Sequence, residues 1–430
     1  MTAGLRRITW KAALLTMLVS LLGVTIGLAA SGDLDSTFGN DGQMLYDFAP
    51  LAGWAEDLAV QTDGMIVGVG RRFDPDTGTG FDVFIGRVED DGDVDPTFGT
   101  GGLVIQDLGG YETAGGVLVD GSGMIVVTGQ TCNTSWGRCD LVVWRFDADG
   151  DPDPGFNGGD PLIIDYDGAD NGTFGGVALD SDGKIVVAGY KEGSTYEFAA
   201  YRINTDGTPD LTFSNDGMQR FGFGPGRDDY ANAVVVYGTR IVLAGDTCGA
   251  DGCDFAIARM RKPGGLDPTF SGDGLQTVDF GADDYAAGMA RASLARMVVV
   301  GSRWTAHDKA KIAVARFDKY GNLDTTFSGD GKNMYGIGTL AFAMDVLIDS
   351  GNAAVVVGAG DVSGNEDLAV LRIRQAGGLD TGFSGDGKVF IDFGGRWEEG
   401  YGIAKDPSGK YVVGGGSWTP PATILARILP

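Results

Sequence analysis

The segment Asp-x-x-Phe returns seven times, at Asp35/Phe38, Asp95/Phe98, Asp153/Phe156, Asp210/Phe213, Asp267/Phe270, Asp324/Phe327 and Asp380/Phe383. Successive phenylalanines stand 60, 58, 57, 57, 57 and 56 residues apart. A period held this tightly means one structural unit copied along the chain, and copied units stack or close into a single array. Six of the aspartates follow an arginine by eight residues: Arg87, Arg145, Arg202, Arg259, Arg316 and Arg372. Asp35 has no arginine before it and Arg427 no aspartate after it, so the two ends hold the halves of a seventh pair.

Within one unit the pattern is that of short strands. Phe174 to Asp180 alternates small and apolar residues, Ser181-Asp182-Gly183 turns the chain, and Lys184 to Gly189 is an Ile-Val-Val run. A third strand is expected over Glu197–Asn204, carrying Arg202, and a fourth over Met218–Phe223, after the Asn215-Asp216-Gly217 turn. Each second strand ends in glycine (Gly70, Gly129, Gly189, Gly245, Gly301, Gly358, Gly415), which signals positive φ or a close backbone approach. The hairpin turns also carry glycine, except in the fifth unit, where Ala295 and Arg296 stand instead. Seven units of four short antiparallel strands predict an all-β, seven-bladed β-propeller. The repeat opens on a fourth-strand segment (Asp35 to Phe48) and closes after a third strand (Thr423 to Ile428), so the N-terminal strand should complete the last blade and bring Asp35 to Arg427. An open solenoid is the lesser alternative, because it leaves an unfinished sheet at each end.

Residues 1–30 read as a separate element. Arg6, Arg7 and Lys11 precede an apolar run from Ala12 to Ala30 that ends in small residues, the pattern of a secretory signal peptide. A retained anchor or a twin-arginine signal are the competing readings, and residues 31–430 are expected to form one domain with no transmembrane segment. Loss of the leader removes three cations and moves the net charge from −27 to −30. So acidic a chain is expected to be monomeric and soluble, and it excludes nucleic acid as a partner. Cys132 and Cys139 flank one loop and Cys248 and Cys253 flank the equivalent loop two units later. The matched placement favours two local disulfides over cross-pairing or a zinc site, in keeping with a secreted, periplasmic or cell-surface protein.

The segments Leu266 to Gly274 and Leu323 to Gly331 (Leu-Asp-x-Thr-Phe-Ser-Gly-Asp-Gly), with Asp182 to Gly189 and Ala313 to Asp318, resemble the delta-60 repeat family of bacterial exported proteins. The resemblance covers about residues 32 to 430 and implies a β-propeller. It implies no particular activity.

Seven copies of an Asp–Arg pair are what blade construction produces, so these residues are expected to be structural. His307 is the single histidine and the cysteines are committed to disulfides, which leaves no Ser-His or Cys-His constellation. Two acidic sets could take calcium. Asp147, Asp149 and Asp151 alternate in one connection, and Asp228/Asp229 and Asp283/Asp284 lie where fourth strands hand over to first strands. The handover segments also carry Glu56/Asp57, Glu112 and Glu398/Glu399, with Trp54, Tyr111, Phe174, Tyr230, Tyr285, Phe342 and Trp397 nearby. A mouth lined by acids and aromatics suits an extracellular or envelope glycan, a peptide or protein, or a cation. The expected function is therefore a binding scaffold, with a carboxylate- or calcium-dependent hydrolase or lyase, or a structural envelope component, as alternatives.

Overall fold

The computed structural model describes residues 29–46, 53–73, 80–133, 138–165, 175–362, 364–418 and 420–430. Of the expected leader all but its last two residues lie outside the described residues, as do Phe48 and Phe174. Twenty-eight strands form seven four-stranded antiparallel sheets. The fourth blade shows the plan, running Asp228–Tyr237, Arg240–Gly249, Gly252–Arg261 and Leu275–Val278 from the axis outward. First strands of consecutive blades touch in an unbroken cycle, the last one (Glu398–Lys405) meeting the first (Gly53–Val60). The ring is closed.

The last blade is the mixed one. Gln43–Tyr46 pairs antiparallel with Pro421–Ile428, Gln43 opposite Ala426 and Tyr46 opposite Thr423. Residues 421 to 428 in turn pair with the second strand, Tyr411–Trp418. Core side chains lie between blades: Val67, Val69, Val83 and Ile85 of the first pack with Val117, Val127, Val142 and Trp144 of the second. Strands buried on both faces explain their near-continuous Ile-Val-Val sequences.

The repeated Asp, Arg and Phe form one unit. Arg202 Nε donates to Asp210 Oδ2 at 2.6 Å, its guanidinium lies 4.9 Å from the Phe213 ring centre, and its NH1 donates to the Lys262 carbonyl of the next blade. Asp210 Oδ1 accepts from the Thr212 hydroxyl and amide. The same arrangement holds at Arg87/Asp95/Phe98, Arg145/Asp153/Phe156, Arg259/Asp267/Phe270, Arg316/Asp324/Phe327 and, across the chain ends, Arg427/Asp35/Phe38. The residue after each phenylalanine donates its amide to a carbonyl of the following blade: Gly39 to Asp91, Gly99 to Asp149, Asn157 to Asp206, Ser214 to Pro263, Ser271 to Tyr320, Ser328 to Ala376, and Ser384 to Ser31. Seven backbone bonds therefore run around the ring, and the seventh is received by the N-terminal segment. Burial opposes ionisation of Asp35, but hydrogen bonds from Lys410, Thr37 and Arg427 outweigh it and hold its carboxyl far below the ordinary range.

Arg372 departs. Its NH2 donates to Asp349 Oδ2 at 2.7 Å, while its Nε stands 3.6 Å from Asp380. Gly382 leaves Asp380 without the hydroxyl donor that threonine gives five of the other aspartates, but Gly155 does the same beside Asp153, whose pair with Arg145 persists; what sets Arg372 apart is Asp349, which gathers Arg372, Lys405 and Tyr411. The fifth hairpin turn also pays a cost for lacking glycine: Leu294 and Ala295 sit at φ 61° and 55°.

The glycines that end the second strands answer to close approach. A Cβ on Gly70, Gly129, Gly245, Gly301, Gly358 or Gly415 would collide with the carbonyl oxygen of Trp54, Thr113, Tyr230, Tyr285, Phe342 or Glu399 on the first strand. Just past that contact the first strand carries an extra residue, a bulge, in six blades.

Arg427→Ala leaves Asp35 buried against Lys410 alone and should cost about 3–5 kcal/mol, the loss typical of breaking a buried pair. Urea unfolding checks this. A loss under about 1 kcal/mol would mean that the closure pair acts like a surface ion pair.

Candidate functional site

The bulges shape the axis. Their extra residues, Glu56, Gly115, Asn232, Ala287, Met344 and Tyr401, all face a central cavity of about 1140 Å³. A regular strand would alternate its side chains between the two blade faces; the bulge turns one residue inward toward the axis. The far ends of second strands contribute Tyr190 and Trp304 to the same cavity and the loop that follows contributes His307, so handover segments and variable loops share one end of the ring.

The cavity wall is uneven. On the side of the first and seventh blades, Glu56 Oε1 lies 3.2 Å from Arg71 Nε, and the Arg71 guanidinium sits over Trp54 (5.6 Å) and Phe81 (5.4 Å). Tyr401 donates its hydroxyl to Glu399, beside this group. Trp54 is held by a 3.2 Å bond from its indole nitrogen to the Ser417 carbonyl and by contact with Trp418 at 5.0 Å. Burial raises Glu56 to about 7, with Arg71 pulling the other way, and Glu56 Oε2 has no hydrogen-bond partner. Glu399 is raised by burial as well, against the hydrogen bonds from Tyr401 and Trp418.

Deeper in the cavity, Asp57 and Asp345 flank the first strand of the seventh blade. Asp57 Oδ2 accepts from the Val117 amide at 2.8 Å and Asp345 Oδ2 from the Ile403 amide at 3.2 Å, so each ties its blade to the next. Protein surrounds both, although part of each carboxylate still meets the cavity. Burial, then the charge of Asp345, raises Asp57 to about 7; burial raises Asp345 to about 6 against the amides it accepts. On the far wall Asn232 donates to Asp246 Oδ1 (3.1 Å) and to the Ala286 carbonyl (2.8 Å). Tyr190, Tyr196 and Tyr230 pack there with ring centres 4.8 to 5.4 Å apart. Burial raises Asp246 to about 7.

The acids singled out in the sequence are distributed among three environments. Glu56, Asp57 and Glu399 reach the cavity, whereas Glu112, Asp229, Asp284 and Glu398 are buried between blades. Asp228 accepts from the Tyr196 amide and Asp283 from the Cys253 amide, which spends them on loop geometry. Asp147 Oδ1 accepts from the amides of Asp149 and Asp151, a turn whose carboxylates form no cluster of metal-ligating spacing among the described residues. Of the aromatics, Trp54, Tyr230, Tyr285 and Phe342 line the cavity; Trp397 lies outside it and is 54% exposed. Disulfides join Cys132 to Cys139 and Cys248 to Cys253, each linking directly opposed residues of neighbouring strands, and no cysteine is free. Arg71, Asp246, Asp345, Glu366 and Tyr401 were not foreseen. They stand alone in sequence, and only the bulges and the ring bring them together.

Residues 121–156 and 181–213 match the model of a domain of unknown function described as the DUF5122 beta-propeller. No curated protein matches the chain. Among solved structures, the polysaccharide lyase Uly1 superposes with a TM-score of 0.51 at 10% identity, covering 93% of this chain and 92% of that one. The beta-propeller domain of the Trilobed protease from Pyrococcus furiosus gives a TM-score of 0.45 at 12% identity, covering 87% and 95%. Sqt1 from Chaetomium thermophilum gives 0.47 at 12%, covering 91% and 99%. Identities this low show the fold alone: the chain is a repeat-built β-propeller.

The two families of carboxylates act oppositely on stability. Asp35 and Asp210 ionise below their ordinary value in the fold, so their contribution is complete above about pH 4 and is lost as pH falls below it. Asp57 and Asp246 ionise near 7, so the folded state holds their protons longer than the unfolded chain does, and stability declines as pH rises from about 4 to 7. Thermal unfolding across pH 2–9 should therefore show a maximum near pH 4–5. A plateau from pH 5 to 8 would mean that cavity water leaves Asp57 and Asp246 as ordinary carboxylates.

Proposed function

We propose that the protein is an exported propeller of the delta-60 repeat type, and that it binds a neutral, polyhydroxylated chain, an extracellular or envelope glycan, at the mouth of the central cavity. The observation that carries this reading is the wall formed by Trp54, Glu56, Arg71 and Glu399. Trp54 offers an apolar ring to the cavity, and the carboxylates of Glu56 and Glu399 stand on the same wall. Ring faces and hydroxyl-accepting carboxylates are the two surfaces that a sugar presents needs for. Among the described residues Arg71 is the one guanidinium on a wall that also carries Glu56, Asp57, Asp345, Glu366 and Glu399, so a polyanionic chain finds little there to pair with. Two matched disulfides and the leader-like residues 1–30 support export.

A second reading has one observation in its favour. Burial keeps Glu56 protonated up to about pH 7, which suits a general acid, and Glu399 with Tyr401 stands on the same wall. In that case the same mouth cleaves what it binds.

Titration calorimetry of residues 31–430 against neutral oligosaccharides separates the readings. Saturable binding that weakens at least about tenfold in Trp54→Ala, with no new reducing ends after prolonged incubation, is the expected outcome. Release of reducing ends that stops in Glu56→Gln would establish the catalytic reading. Binding of cationic peptides in place of oligosaccharides would overturn the glycan assignment.

A further inference from the structure

Three groups of carboxylates lie away from the cavity, each at a junction between neighbouring blades. They are Asp82, Asp107 and Glu112 between the first and second blades, Asp254, Asp279 and Asp284 between the fourth and fifth, and Asp367, Asp392 and Glu398 between the sixth and seventh. In each group one oxygen per residue lies within 4.8 Å of the others. The three groups are copies of one design. The first acid stands five residues before the conserved-phase arginine of the third strand, the second follows the fourth strand directly, and the third lies two residues before the bulge contact on the next blade.

The buried members are not satisfied by protein. Glu112, Asp284 and Glu398 are each 0% exposed. Glu112 accepts from the Gly110 amide and the Thr131 hydroxyl, and Asp284 from the Phe280 amide, through one oxygen each. The other oxygen, Glu112 Oε2 or Asp284 Oδ1, has no hydrogen-bond partner, and Glu398 has such an orphaned oxygen too. Cations cover only part of the charge. Arg72 reaches Asp82 at 3.2 Å and Arg227 reaches Asp254 at 3.5 Å, and among the described residues no ion pair forms with Asp367, Asp392 or Glu398. An uncompensated buried carboxylate is expensive, so three such junctions need a further positive charge.

The other junctions sharpen the point. Between the fifth and sixth blades the three corresponding positions are Lys311, Gly336 and Ala341, so all three acids are absent together and an ammonium occupies the place of the first. Between the third and fourth they are Glu197, Gly222 and Asp229, and there Arg220 stands 3.6 Å from Glu197. At these two junctions the set is incomplete and a protein cation stands at or beside the first position.

We propose that each of the three complete junctions binds one calcium ion, which clamps a blade to its successor. Oxygen-only ligands, each group with a buried acid on the following blade and an exposed one at the surface, suit a hard cation that takes its remaining ligands from water, and ligands on opposite sides of calcium stand up to about 5 Å apart. These sites are independent of the cavity reading, and of the acids expected to bind calcium from the sequence they use only Asp284.

Equilibrium dialysis of the chelator-treated protein against calcium should give three ions per chain, one for each group. Asp107→Asn, Asp279→Asn and Asp392→Asn change the exposed member of each group, so the fold persists, and each should remove one ion. The triple variant should bind none and should lose the calcium-dependent rise in melting temperature seen in the parent. Absence of saturable uptake at millimolar calcium, or uptake undiminished in the triple variant, would overturn the proposal and assign the acids to shared protons.

Discussion

A guanidinium held flat on a phenylalanine, gripped by an aspartate and reaching into the next blade, is the interaction on which this ring depends. Through it a single side chain touches three elements: its own strand, the turn that precedes the fourth strand, and a carbonyl of the neighbour. Because Arg is planar and carries donors on several sides, it can stack, pair and cross a blade boundary at once, which lysine cannot do. The backbone bond from the residue after each phenylalanine repeats the same crossing without a side chain. Blade order and blade spacing are thereby set on one end of the ring, leaving the other end to vary.

That division explains the cavity. At the regular end the blades repeat one turn chemistry apart from the fifth hairpin and the Arg372 pair, while at the other end the loops differ in length, in disulfides and in charge. The bulge and its partner glycine stand between the two ends and are shared by nearly all blades, yet the residue that each bulge turns inward is different: glutamate, glycine, asparagine, alanine, methionine or tyrosine. A uniform backbone device thus presents a non-uniform wall. Most of the acids and Arg71 lie on one side of the axis, beside Tyr401, while Tyr190 and Tyr230 lie with Asp246 on the other.

The architecture was legible because the repeat constrains it many times over, and the phase of the repeat at Asp35 and Arg427 settles how the ring closes. Individual sites were less legible. Glu398 and Glu399 read as one acidic pair, but neighbouring residues of a strand point to opposite faces, so one is sealed between blades and the other meets the cavity. Arg372 read as an ordinary copy, since nothing in its spacing reveals that Asp349, which also gathers Lys405 and Tyr411, competes for the guanidinium. Asp345 and Asp246 stand alone in sequence; each is set by a partner in its own blade, Val346 or Asn232, together with one on the next blade, Ile403 or Ala286. The acids directly after the fourth strands, Asp107, Asp279 and Asp392, were not singled out in the sequence, because their partners lie about 25 residues upstream and five or six downstream and only sheet register joins them.

The mixed blade has a consequence for the order of events in folding. Hairpins within the first six blades join residues close in sequence, whereas Gln43–Tyr46 waits for partners at Thr423–Ala426. Loop closure over such a separation is slow and becomes favourable only once the intervening blades hold the ends near one another. Docking of Gln43–Tyr46 covers the eight-residue strand Pro421–Ile428 and leaves the last blade the same short outer edge as its neighbours, so the long exposed edge of the open arc is present only until the ring closes.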